Sequence, residues 1–157
     1  MQFSTSIAQF QILIVGIIGF AGVMLTLWYN GKMAREQRWW EHKIEAYEKV
    51  IEALHNSKMF SEEHLEANYK GRDVPEDKDK ELRRGAKLAH DEIIKVFDTG
   101  IFVLSENAMT RLRQYQKEAD QASDTTIWTE YLEADLDATD RCLKDVIEIA
   151  KSDLKVK

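Results

Sequence analysis

Residues 1–31 contain no Asp, Glu, Lys or Arg, and all 22 basic and 28 acidic side chains lie from Lys32 onward. That division restricts the fold more than any other feature, because it describes two segments suited to two solvents. The run "ILIVGIIGFAGVMLTLWY" (12–29) is almost wholly apolar, and "IAQFQ" (7–11) extends it. A helix rising ~1.5 Å per residue crosses a ~30 Å hydrocarbon core in roughly twenty residues. The pattern therefore predicts a transmembrane helix over 7–29, preceded by a short extracytoplasmic tail, 1–6, and followed by a cytosolic domain, 30–157. A cleaved signal peptide fits less well. There is no basic n-region, the apolar run is too long, and Trp28 with Tyr29 closes it as an interfacial aromatic pair would.

Orientation follows from the flanks. No Lys or Arg precedes the span, whereas Lys32, Arg35 and Arg38 follow it directly. The positive-inside rule then places the N-terminus outside and the C-terminal domain in the cytoplasm of a single-pass membrane protein. The one cysteine, Cys142, has no intramolecular disulfide partner and suits a reducing compartment, where it is expected as a small buried or half-buried residue. The net charge of −6 falls entirely on the cytosolic part and argues against non-specific nucleic-acid binding, which needs clustered Lys and Arg.

From Lys32 the periodicity is helical. Ile44, Tyr47, Ile51 and Leu54 form one apolar stripe, and no proline occurs before Pro75, so the membrane helix is free to continue into this one. Asn30 with Gly31 is the expected bend, and Asn56 with Ser57 the next weak point. "KGRDVPEDKD" reads as a loop, with a second helix starting at Pro75 or Glu76 and burying Leu82, Ala86, Ala89, Ile93 and Phe97. It stops near "DTG" (98–100). Ser105 is the expected N-cap of a third helix lined by Ala108, Leu112, Tyr115 and Ala119. A fourth begins near Thr126, with Trp128, Leu132, Leu136, Leu143, Ile147, Ala150 and Leu154 inward and Asp135, Asp137 and Asp140 on a solvated face. The expected class is all-α: an N-terminal transmembrane helix continuing into a cytosolic four-helix-bundle-like domain.

The chemistry-bearing candidates are few. In "RRGAKLAH", Arg83 and His90 lie two turns apart on one side of a helix, with Arg84 well off that direction. The spacing resembles the Arg/His signature of HEPN ribonucleases, helical-bundle proteins in which the arginine holds phosphate and the histidine orients or polarises the reacting ribose. On that resemblance Arg83, Arg84 and His90 are the candidate catalytic residues. On the residues alone, a structural or surface role on a solvated helix face is the better fit. His42, His55, His64 and His90 have neither an i,i+4 His partner nor a nearby Cys, and "SEEHLEA" reads as an acidic helix surface, so no metal or cofactor is expected. No glycine-rich phosphate loop or G-x-S-x-G occurs.

Gly16, Gly19 and Gly22 recur every third residue within one sector of the span and predict close helix–helix approach, hence homo-oligomerisation in the bilayer. Trp28, Tyr29, Lys32, Arg35 and Arg38 mark the membrane interface. Trp39 and Trp40 are candidates for subunit contact, or for the domain's own core. A ring of spans would enclose a narrow, apolar pore that gates by dewetting.

With its short uncharged N-terminus, one span, a terminal Trp/Tyr pair and a helical domain carrying "RRGAKLAH", the chain resembles the accessory membrane proteins of type VI-B CRISPR systems. Those are HEPN-like in sequence and act as oligomeric membrane pores in antiviral defence. The resemblance implies a non-enzymatic, pore-forming defence effector of a bacterial inner membrane in which Arg83, Arg84 and His90 are remnants or structural residues. Two other readings stay open: a membrane-tethered HEPN-like ribonuclease, and a passive adaptor recruiting an unidentified cytosolic partner.

Overall fold

The computed structural model describes the backbone of residues 3–155, and the side chains of Met33 and of 36–155 except Ile101. Every regular element among them is helical: α1 (Phe3–Tyr69), α2 (Glu76–Thr99), a 3-10 turn (Gly100–Phe102), α3 (Glu106–Ser123) and α4 (Trp128–Asp153). The chain divides into two compact units, Met1–Glu41 and His42–Lys157. The second is the helical bundle the periodicity predicts. The expected span, 7–29, lies outside the described side chains. Among the described residues, no helix is long and apolar enough to cross a membrane.

The helix ends follow local chemistry. α1 passes through both expected weak points, Asn30–Gly31 and Asn56–Ser57, and ends at Tyr69, two residues before Gly71. There a φ of +60° admits glycine without strain and lets Arg72 N–H reach the Ala67 carbonyl at 3.0 Å. Pro75 precedes α2, and Glu76, Asp77 and Asp79 fill its first turn, where carboxylates oppose the positive end of the helix dipole. Ser105 caps α3 as expected, its Oγ accepting from Ala108 N–H at 3.3 Å. Gly100 stands at a crowded corner: a Cβ there would lie 2.9 Å from Val96 Cγ1 and 3.3 Å from Leu104 Cδ1.

One core unites Tyr47, Val50 and Leu54 of α1 with Ala89, Ile93 and Val96 of α2, Leu112 and Tyr115 of α3, and Cys142 and Val146 of α4. A smaller cluster, Phe60, Leu65, Leu82 and Leu132, closes the far end of α1. The stripe expected for α4 is rotated by about one position. Its buried face is Leu132, Asp135, Ala138, Thr139, Cys142, Val146 and Ala150, whereas Leu136, Leu143, Ile147 and Leu154 lie at the edge and Trp128 is 44% exposed. Small side chains at 138, 139 and 142 let α4 pack closely, which larger leucines at those positions would prevent. In the same way Val50 replaces Ile44 on α1's inner face, and Val96 lies deeper than Phe97 on α2.

Candidate functional site

The rotation of α4 carries Asp135 from the expected solvated face into the bundle, where it is only 6% exposed. Ser61 of α1 donates to its Oδ2 at 2.5 Å, and no other hydrogen bond or ion pair reaches this carboxyl among the described residues. Burial holds its pKa above the ordinary carboxylate range, and the Ser61 bond offsets this only in part. Beside it, Tyr115 is buried, its hydroxyl at 3.4 Å from Thr139 Oγ1 and 3.5 Å from Ser57 Oγ, both long contacts. Burial pushes the Tyr115 phenol up as well.

Asp135 and Tyr115 line a groove of about 530 Å³. It opens because α3 packs along α4 but stands apart from α2. Ala86 and Ala119 on its walls leave the space unfilled. Aromatic rings enclose it: Phe60, Phe97, Tyr115 and Tyr131. Behind the wall, Trp128 stacks on Tyr131 with centroids 5.3 Å apart and meets Phe60 edge-on at 6.3 Å. Ser57, Gln116, Ser123 and charged side chains alternate with these rings on the lining, and a cleft of this volume has the size of a small-molecule site.

Two of the three sequence candidates line this groove. Arg83 and His90, both exposed, border it from α2, whereas Arg84, also exposed, takes no part. Arg83 is not an uncommitted cation: its Nε donates to Asp79 Oδ2 at 2.8 Å. Asp79 Oδ1 in turn lies 2.8 Å from His64 Nε2, and His64 Nδ1 lies 2.8 Å from the Phe60 carbonyl. Hydrogen bonds from Arg83 and then His64 hold the Asp79 carboxyl below its ordinary range. "SEEHLEA" is thus not simply an acidic surface. Ser61, His64, Leu65 and Ala67 face inward, and His64 ties α1 to the first turn of α2.

The other candidates lie elsewhere. Trp39 and Trp40 form an edge-to-face pair with centroids 6.2 Å apart, Trp39 being 49% exposed; with Glu36 and Gln37 they border a hollow of about 400 Å³. Arg38 is exposed. Gly16, Gly19, Gly22, Trp28, Tyr29, Lys32 and Arg35 lie outside the described side chains. Cys142 is fully buried, and burial pushes its thiol up to about 12, so it is a small apolar core residue. No group of three or more His, Cys, Asp or Glu among the described residues is arranged to hold a metal ion.

Sequence reasoning missed Asp135 and Ser61. The signal was present: 132, 135, 139, 142, 146 and 150 repeat at steps of three or four as cleanly as the leucine-rich stripe beside them. An aspartate on that line points to a buried, functional or paired carboxyl. Comparison with protein-family models, with characterised proteins and with solved structures finds no match to this chain.

Proposed function

We propose that this chain is a single-pass inner-membrane protein that self-associates through its N-terminal helix and alters membrane permeability, as an antiviral effector of the kind it resembles. The supporting observation is the sharp boundary at Lys32 inside one helix: α1 contains both the uncharged segment and, further on, the core residues Tyr47, Val50 and Leu54. An element of that composition needs an apolar solvent at one end and a bundle at the other. Gly16, Gly19 and Gly22 supply the smooth face for association.

The first test is the mass of the detergent-purified protein by light scattering, corrected for bound detergent. A single closed species of roughly six or more chains is expected, and it should release dye from liposomes. Gly19→Leu should reduce the mass by blocking backbone approach. A monomer or dimer from the unaltered protein would overturn the pore reading.

One observation favours a second reading, the membrane-tethered HEPN-like ribonuclease: Arg83 and His90 line the same groove. It requires that the purified protein cleave RNA and that His90→Ala abolish cleavage while the bundle stays folded. Against it stand the commitment of Arg83 to Asp79 and the carboxyls of Asp120 and Asp135 on the groove wall, which repel phosphate.

A further inference from the structure

The groove between α2 and α3 has a charge pattern that selects its occupant. We propose that it binds a small organic cation, an ammonium group on an aromatic or aliphatic body, with Asp135 as counter-ion and the rings of Phe60, Phe97, Tyr115 and Tyr131 as its walls. This site is independent of how the N-terminal segment behaves.

Four observations converge on that class. Asp135 is more than nine-tenths buried, yet only one of its oxygens is hydrogen-bonded, to Ser61, so the carboxyl retains acceptor capacity on a cavity wall. Its other oxygen is not sealed from solvent, so a donor entering the groove can reach it, and a cation is the donor that meets a carboxylate best. Four aromatic rings border the same space, and ring faces attract ammonium groups held within about 6 Å. The second carboxyl on the wall, Asp120, has the same sign, while the wall's one arginine is exposed at the rim beside His90 and pairs through its Nε with Asp79, which lies outside the groove. An anion would meet two carboxyls there, against one exposed guanidinium whose Nε is already engaged. The volume of about 530 Å³ admits a ligand of one or two rings.

Phenethylammonium, compared with its uncharged isostere 2-phenylethanol, tests the proposal by calorimetric titration of the full-length protein in detergent. Saturable binding of the ammonium is expected, with the alcohol at least about tenfold weaker, the difference a charge-assisted contact makes. Asp135→Asn, which keeps the shape and an acceptor for Ser61, should weaken phenethylammonium at least about tenfold and leave the alcohol unchanged. Should that variant fold poorly, Ala119→Phe decides the matter by filling the groove from α3. It should remove ammonium binding while the melting profile persists. No saturable binding of the ammonium, equal binding of the two probes, or full binding by a folded Asp135→Asn or Ala119→Phe protein would each overturn the site. A carboxyl serving only to hold Ser61 predicts the first of these results.

Discussion

Asp135 costs the folded bundle stability at neutral pH, because ionising it where it is buried is opposed by desolvation that one serine hydrogen bond does not offset. Its folded pKa lies above the ordinary 3.8. The folded state therefore holds this proton more tightly than the unfolded chain. The resulting stability is fully present below about pH 3.8 and declines as pH rises through the folded pKa. Asp135→Asn should then be at least as stable as the parent in urea titrations at about pH 7, with its advantage vanishing toward the acid end. A parent more stable than the variant at neutral pH would mean that the carboxylate is better solvated than its burial implies. Asp79 runs the opposite way: held low by Arg83 and His64, it contributes above the ordinary carboxylate pKa and ceases to as pH falls through its depressed value. Acid should therefore loosen the α1–α2 tie while relieving Asp135.

Two glycines in or beside α2 show how one residue type serves opposite ends within an element. Gly85 lies in the helix interior, where a Cβ would meet no atom within 4 Å, and its φ is not left-handed. Gly85→Ala should stabilise the protein by roughly 0.5–1 kcal/mol, the ordinary difference in helix propensity. Gly100, at the end of the same helix, has Val96 Cγ1 in the way at 2.9 Å. Valine is β-branched and buried here, so it cannot swing aside. Gly100→Ala should cost about 1–3 kcal/mol by overpacking. Thermal melts of the two variants should move in opposite directions. The spacing of α2 and α3 also belongs to this scale: small residues at 86 and 119 hold the groove open, which no propensity argument reveals.

At the scale of the folded bundle, α1, α3 and α4 are joined by Tyr47, whose hydroxyl donates to Asp153 and lies 3.3 Å from Ser105 Oγ. Burial, reinforced by the Asp153 carboxylate, pushes this phenol up to about 12, and Lys43 completes the cluster 3.5 Å from Asp153. Tyr47→Phe removes a hydrogen bond to a charged group and should cost about 1.5–3 kcal/mol in denaturant titration, with helicity kept. The helical class was legible from 3.6-residue periodicity. So were the loop at Pro75, the Ser105 cap and the helix order, because each rests on local chemistry at a few neighbouring positions. Arg83 and His90 were also legible as neighbours on one side of α2, since seven residues make almost two turns. Tertiary structure alone turned α4 so that Asp135, Thr139 and Cys142 face inward in place of Leu136 and Leu143. It alone set Asp135 across a groove from residues some fifty positions earlier in the chain. A helix repeat fixes which side chains share a face, but how closely neighbouring helices can approach, and hence which face goes inward, is settled by packing among all four.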